Sequence, residues 1–146
     1  MKKVAVIGAG TMGAGIAQVS ALAGYEVILY DVADEILAES LDGIRASIDK
    51  GVARDKTEAD VAEKAKAAFE LTTSLETAAQ ADLIIEAAPE KLILKRDIFA
   101  TLDAAAPDHA ILGSNTSSLS ISALAGATER PERVVGIHFF NPAHIM

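Results

Sequence analysis

Gly8-Ala9-Gly10-Thr11-Met12-Gly13 directly follows the apolar run Lys3 to Ile7. It opens a segment whose apolar residues Met12, Ile16, Val19 and Ala23 recur at helical spacing. A G-x-G-x-x-G turn between a strand and a helix can hold a diphosphate, because backbone N–H groups and the positive end of the helix dipole face the anion. Gly8 permits the tight turn, Gly10 lets the backbone touch the phosphates without a Cβ, and Gly13 lets the helix pack closely on the strand. Asp31 closes a second apolar run, Glu26 to Tyr30, about 20 positions further on, where a carboxylate can accept hydrogen bonds from the hydroxyls of an adenosine ribose. A 2′-phosphate would meet its charge, and neither Val32 nor Ala33 supplies a cation, so the pattern selects NAD over NADP. Glycine turns and surface aspartates each have ordinary structural uses; strand, motif, helix, strand and acid in order single out the dinucleotide. The residues expected at the cofactor are Gly8, Gly10, Thr11, Met12, Gly13 and Asp31.

An alcohol that gives a hydride to NAD must also release a proton, and a histidine titrating near neutrality is a suitable base. Open α/β sheets bind ligands at the C-terminal ends of their strands, which directs attention to Glu86 to Glu90, Ser114 to Ser118 and His138 to Asn141. His138 is the histidine in that set, and the serine loop offers a hydroxyl for the substrate oxygen. A lone histidine at a strand end is more often structural than catalytic; NAD beneath the same rim favours catalysis. His109 precedes a strand, at the opposite edge, and reads as a surface histidine.

The elements that must position these groups alternate along the chain. After the two strands and the helix between them, Ile36, Leu37, Leu41, Ile44 and Ile48 mark one face of a long helix from Ala33 to about Gly51. Thr57 with Asp60 resembles a capping box and opens a second helix, to about Ala68. One crossover would suffice between strands, so this helical hairpin reads as an insertion after the second strand. Strands follow at Phe69 to Thr73 and Leu83 to Glu86, then a helix with Leu92, Ile93, Phe99 and Leu102 on its apolar face. Ala110 to Gly113 forms a fifth strand, Ile121 to Ala125 a short helix, and Val134 to Ile137 a sixth strand that delivers His138. The fold class is α/β, a doubly wound, mostly parallel sheet in a single domain over residues 1–146.

Half of the residues, 51%, are hydrophobic and only 4% aromatic, which suits strands sandwiched between helices. The net charge of -8 gives no electrostatic footprint for nucleic acid. With no cysteine there is neither a disulfide framework nor a thiolate site. Glycines interrupt the apolar start, which argues against a signal peptide, and no apolar run approaches about 18 residues, which argues against a membrane span. The expected location is cytoplasmic.

Gly8 to Gly13 with Ile16-Ala17, Ser114-Asn115-Thr116-Ser117-Ser118-Leu119, and Gly136-Ile137-His138-Phe139-Phe140-Asn141-Pro142 resemble L-3-hydroxyacyl-CoA dehydrogenases of the 3-hydroxybutyryl-CoA type, over the whole chain. The resemblance implies a Rossmann-type NAD domain acting on acyl-CoA, with His138 as base, Ser117 on the substrate oxygen and Asn141 near the nicotinamide. It further implies cofactor contacts from Glu90 and Lys95, and places Ser47 and Arg54 near the CoA portion; Arg54 stands where a lysine is usual, and Pro89 before Glu90 is a second departure. The family continues with a glutamate that pairs with the histidine and with a helical domain that makes the homodimer. Met146 precedes both, so the expectation for this chain alone is NAD binding with little or no turnover. A second reading is a non-catalytic, crystallin-like module of the same family; the Phe139-Phe140 pair favours the dehydrogenase.

Overall fold

The computed structural model describes residues 1–146. Six strands form one sheet, β1 (Lys3–Ile7), β2 (Glu26–Tyr30), β3 (Phe69–Thr72), β4 (Leu83–Glu86), β5 (Ile111–Ser114) and β6 (Val134–Gly136). Their order is β3-β2-β1-β4-β5-β6, and every neighbouring pair is parallel. The sheet is thus wholly rather than mostly parallel. The chain winds outward from β1 in both directions, so a crevice opens at the C-terminal ends of β1 and β4, where a doubly wound sheet takes its ligand.

Alternation along each strand sends side chains to two cores. Val4, Val6, Val27, Leu29 and Ile85 pack against α1 (Thr11–Leu22), α2 (Asp34–Ala53) and α3 (Ala59–Lys66). Ala5, Ile7, Ile28, Ile84 and Leu112 pack against α4 (Leu75–Ala78), α5 (Leu92–Ala105) and α6 (Ile121–Ala125). Burial on both faces is why the central strands read as continuous apolar runs rather than as alternating patterns. The helical hairpin after β2 is α2 with α3, and α3 closes back on α1 through Ala62 and Ala65. None of these helices is long and apolar enough to cross a membrane.

Several local expectations are corrected. The residue capping α3 is Glu58, and no side chain bonds there, so the Thr57 and Asp60 capping box does not form. Thr57 instead packs against Gly51, where an added Cβ would come within 2.8 Å of its hydroxyl. Leu92 and Ile93 are exposed; the buried face of α5 is Lys95, Ile98, Phe99 and Leu102, because the apolar start of the helix points away from the sheet. Helix α2 runs two residues past Gly51, α3 ends at Lys66, and β6 ends at Gly136. Strand β5 includes Ser114, which is therefore a buried strand residue rather than part of the loop. The single-turn helix α4, capped by Ser74 Oγ accepting from the Thr77 N–H, was too short to leave a periodic signal.

Candidate functional site

The glycine turn is set by backbone sterics. Gly8 sits at φ +106°, in the region that favours glycine, and a Cβ there would lie 2.8 Å from the carbonyl oxygen of Ala87. Its N–H donates to the Tyr30 carbonyl at 2.8 Å, which ties the turn to the end of β2. A Cβ on Gly13 would lie 1.7 Å from the Gly8 carbonyl oxygen, so this position admits only glycine. Gly10 is different: a Cβ there would have nothing within 4 Å, so the surrounding protein makes no demand for its absence. Gly10 is the residue before α1, no side chain caps that helix, and its first turn holds no acid. The amide donors of Thr11, Met12 and Gly13 are left for a ligand, and only an arriving group needs the space that Gly10 keeps clear.

A groove of about 710 Å³ runs from this turn past Tyr30 and Asp31 to Ile98 and Thr101 on α5. Asp31 Oδ2 accepts from the Ala9 N–H at 2.7 Å, and Oδ1 accepts from the Val32 N–H at 2.7 Å. Each oxygen keeps a further lone pair for a sugar hydroxyl, so the same carboxylate braces the glycine turn and remains an acceptor in the groove. Burial, then the charges of Asp31 and Glu76, push the Tyr30 phenol above its ordinary pKa, so it faces the groove as a neutral group. Gly10 in open space, an uncapped helix start and free carboxylate lone pairs fit a dinucleotide with an unphosphorylated ribose.

A second cleft of about 300 Å³ neighbours the groove and shares Met12, Ala87 and Ala88 with it as wall residues. Its walls bring together Glu90, Asn115, Ser117, His138 and Asn141, from the segments after β4, β5 and β6, with Lys95 from α5. The Phe139 N–H donates to Asn115 Oδ1 at 2.7 Å, which joins the segment after β6 to the segment after β5. The His138 ring is exposed and lies against Phe140, with centroids 4.9 Å apart. His109 is on the far edge of the sheet, 64% exposed and paired with Asp82 at 2.7 Å, as its position before β5 implied.

Beneath this cleft lies a polar cluster that bonds together residues the sequence singled out only separately, Glu86, Glu90 and Ser114 at strand ends and Lys95 by resemblance. Glu86 is fully buried, and Lys95 is 2% exposed. Lys95 Nζ donates to Glu86 Oε1 at 2.8 Å and to Oε2 at 3.0 Å; the same carboxylate accepts from Ser114 Oγ at 2.6 Å and from the Ala88 N–H at 2.6 Å. Lys95 also lies 3.4 Å from Glu90 Oε1, and Glu90 accepts from the Thr116 hydroxyl and from the Ser117 N–H. Burial works to raise the pKa of Glu90, but the Thr116 hydroxyl, the Lys95 ammonium and the Ser117 amide prevail and hold it below the ordinary glutamate value. A strand that is apolar except for a terminal acid was the available signal for Glu86.

A family model described as 3-hydroxyacyl-CoA dehydrogenase, NAD binding domain, matches residues 3–146. The chain belongs to this family. The 3-hydroxyadipyl-CoA dehydrogenase of Escherichia coli is 47% identical over 146 residues, covering all of this chain and 31% of that protein. The 3-hydroxybutyryl-CoA dehydrogenase of Bradyrhizobium diazoefficiens is 44% identical, over the whole chain and 50% of its own length. A crystal structure of an Escherichia coli 3-hydroxybutyryl-CoA dehydrogenase superposes with a TM-score of 0.96 at 47% identity, over 99% of this chain and 31% of that one. The chain therefore spans between about a third and half of these proteins.

As a member of the 3-hydroxyacyl-CoA dehydrogenase NAD-binding family, the chain separates the residues singled out from its sequence into three places. Gly8, Gly10, Thr11, Met12 and Asp31 line the groove, and Gly13 supports it from within α1. Glu90, Lys95, Ser117, His138 and Asn141 share the second cleft. Ser47 lies elsewhere, with Ser40 and Gly43 of α2, in a third cleft of about 380 Å³ that Asn141 also borders. Arg54, exposed beyond the end of α2, borders none of the three.

Proposed function

We propose that the chain binds NAD along the groove, with its nicotinamide end in the second cleft. There it supplies the cofactor half of an enzyme that interconverts L-3-hydroxyacyl-CoA and 3-oxoacyl-CoA. The observation that carries this reading is that the two cavities are neighbours walled by the same three residues, Met12, Ala87 and Ala88, with the glycine turn and Asp31 lining one and His138, Ser117 and Asn141 lining the other. NAD, when bound, supplies the acceptor or donor of the hydride. His138 takes the hydroxyl proton as the alcohol is oxidised and returns it when the ketone is reduced. Ser117, held through its N–H by Glu90, offers its hydroxyl to the substrate oxygen, and Asn141 orients the nicotinamide end. Ser47, across Asn141 in the third cleft, and Arg54 at the end of α2 are proposed to meet the CoA portion, with Arg54 contributing charge rather than a fixed contact. Residues 1–146 are one cofactor domain in this reading, and the helical part of a longer protein makes the dimer.

Binding is tested on the chain itself by titration with NADH. Turnover is tested in a protein of the relatives' length that carries this chain, as acetoacetyl-CoA-dependent oxidation of NADH. His138→Ala is expected to lower kcat by about 100-fold or more while NADH still binds. An unchanged rate would remove His138 from the reaction.

A further inference from the structure

The cluster beneath the second cleft is unbalanced in charge. Two carboxylates, Glu86 and Glu90, share the single ammonium of Lys95, at 2.8 Å and 3.4 Å. The only other ionisable side chain on the cleft wall is that of His138. Burying an ion pair costs desolvation that its own attraction often fails to recover, so a fully buried glutamate is weak evidence of a purely stabilising role. A simpler use would be mechanical, since Glu86 joins the ends of β4 and β5 to α5 through Ser114 and Lys95. The two uses differ in what they do to the two redox forms of the cofactor.

We propose that the Glu86, Lys95 and Glu90 cluster, with one more negative than positive charge, favours the cationic oxidised nicotinamide over its neutral reduced form and so biases the bound cofactor toward oxidation. The inference rests on the reading of the second cleft as the nicotinamide end. A fixed charge acts on the oxidised ring and has no counterpart in the reduced one, whereas a contact common to both forms cancels from the ratio of their affinities. Glu86 is shielded from salt by its burial, unlike the many surface acids of this chain. At an effective dielectric of about 20, one such charge at the depth of the cleft floor changes the ratio roughly several-fold.

The test is a pair of titrations, NAD in its oxidised and reduced forms, on the unmutated chain and three variants. Glu86→Gln keeps shape and an acceptor for Ser114 but removes the charge; the affinity for the oxidised form relative to the reduced form is expected to fall several-fold. Glu90→Gln, on the cleft wall, weakens both forms and is expected to lower the ratio in the same direction, so it carries the test should Glu86→Gln fail to fold. Ser114→Ala disturbs the same buried cluster without changing charge and is expected to leave the ratio unchanged. Losses shared equally by both forms in the two charge variants would overturn the proposal and leave the cluster as a mechanical tie. If the unmutated chain bound neither form, the cofactor reading itself would fall, and the inference with it.

Discussion

Asp31 does two things that a single substitution can separate. One oxygen accepts the Ala9 N–H at 2.7 Å, and Ala9 is 6% exposed, so that donor cannot turn to water. The other accepts the N–H of Val32, which is 75% exposed and has water as an alternative. Asp31→Asn retains an oxygen for Ala9 and loses the charge, so unfolding stability is expected to change by less than about 1 kcal/mol. A ribose hydroxyl bonded to an amide oxygen instead of a carboxylate loses about 1 kcal/mol, or about fivefold in NADH affinity. A 2′-phosphate of about two charges, some 5 Å from the lost carboxylate in a water-like dielectric, gains about 1.5 kcal/mol, or about tenfold. The preference for NADH over NADPH is therefore expected to narrow by about 50-fold at low salt, and by less at high salt. Fluorescence titrations of both nucleotides against both proteins read this directly. Equal affinities in the unmutated chain, or an unmoved ratio in a folded Asp31→Asn protein, would refute the role given to the carboxylate. Asp31→Ala, by contrast, strands the Ala9 N–H and is expected to cost about 1–3 kcal/mol of stability.

The glycines of the turn are expected to part company. Gly10→Ala, with nothing within 4 Å of the new Cβ, should leave the unfolding free energy within about 0.5 kcal/mol of the parent while weakening NADH tenfold or more; normal binding would mean the diphosphate sits elsewhere. Gly13→Ala, whose Cβ would lie 1.7 Å from the Gly8 carbonyl oxygen, should destabilise the fold by about 3 kcal/mol, seen in urea unfolding. At the far edge, Asp82 accepts from the N–H groups of Lys2 and Lys3 and bonds His109; the Lys2 amide, then His109, hold its pKa well below the usual carboxylate range. A depressed folded pKa means that its contribution is complete above the ordinary aspartate range and is lost as pH falls below it. Asp82→Asn should therefore be destabilised at pH 7 and converge with the parent as pH drops below about 4, and parallel stability curves would count against it.

What could be read from the sequence was whatever follows from one residue's local demands. Gly8 and Gly13 sit where backbone geometry requires them, and the runs before Gly8 and Asp31 are apolar because both faces of the central strands are covered. His138, Ser117 and Glu90 were legible as a group because strand ends in such a sheet converge on one rim. The Glu86 and Lys95 pair was not, since two charged residues nine positions apart carry no sign of bonding each other until the turn after β4 folds one over the other. Leu92 and Ile93 misled for the opposite reason: apolar residues at helical spacing suggest a core face, and only packing on the sheet shows that α5 buries Lys95 and Ile98 beside the expected Phe99 and Leu102. The cap of α3 failed similarly, because the helix starts one residue later than the motif implies, after Glu58, with Thr57 packed against Gly51.

The central claim is that the glycine-turn groove and the His138 cleft form one cofactor site. Titrating NADH into isotopically labelled chain and following backbone amide resonances tests it most directly. Gly10, Thr11 and Val32 in the groove, and His138, Phe139 and Asn141 in the cleft, are expected to shift together in one saturable transition with a single dissociation constant. Shifts confined to one of the two regions, or none at either, would contradict the account.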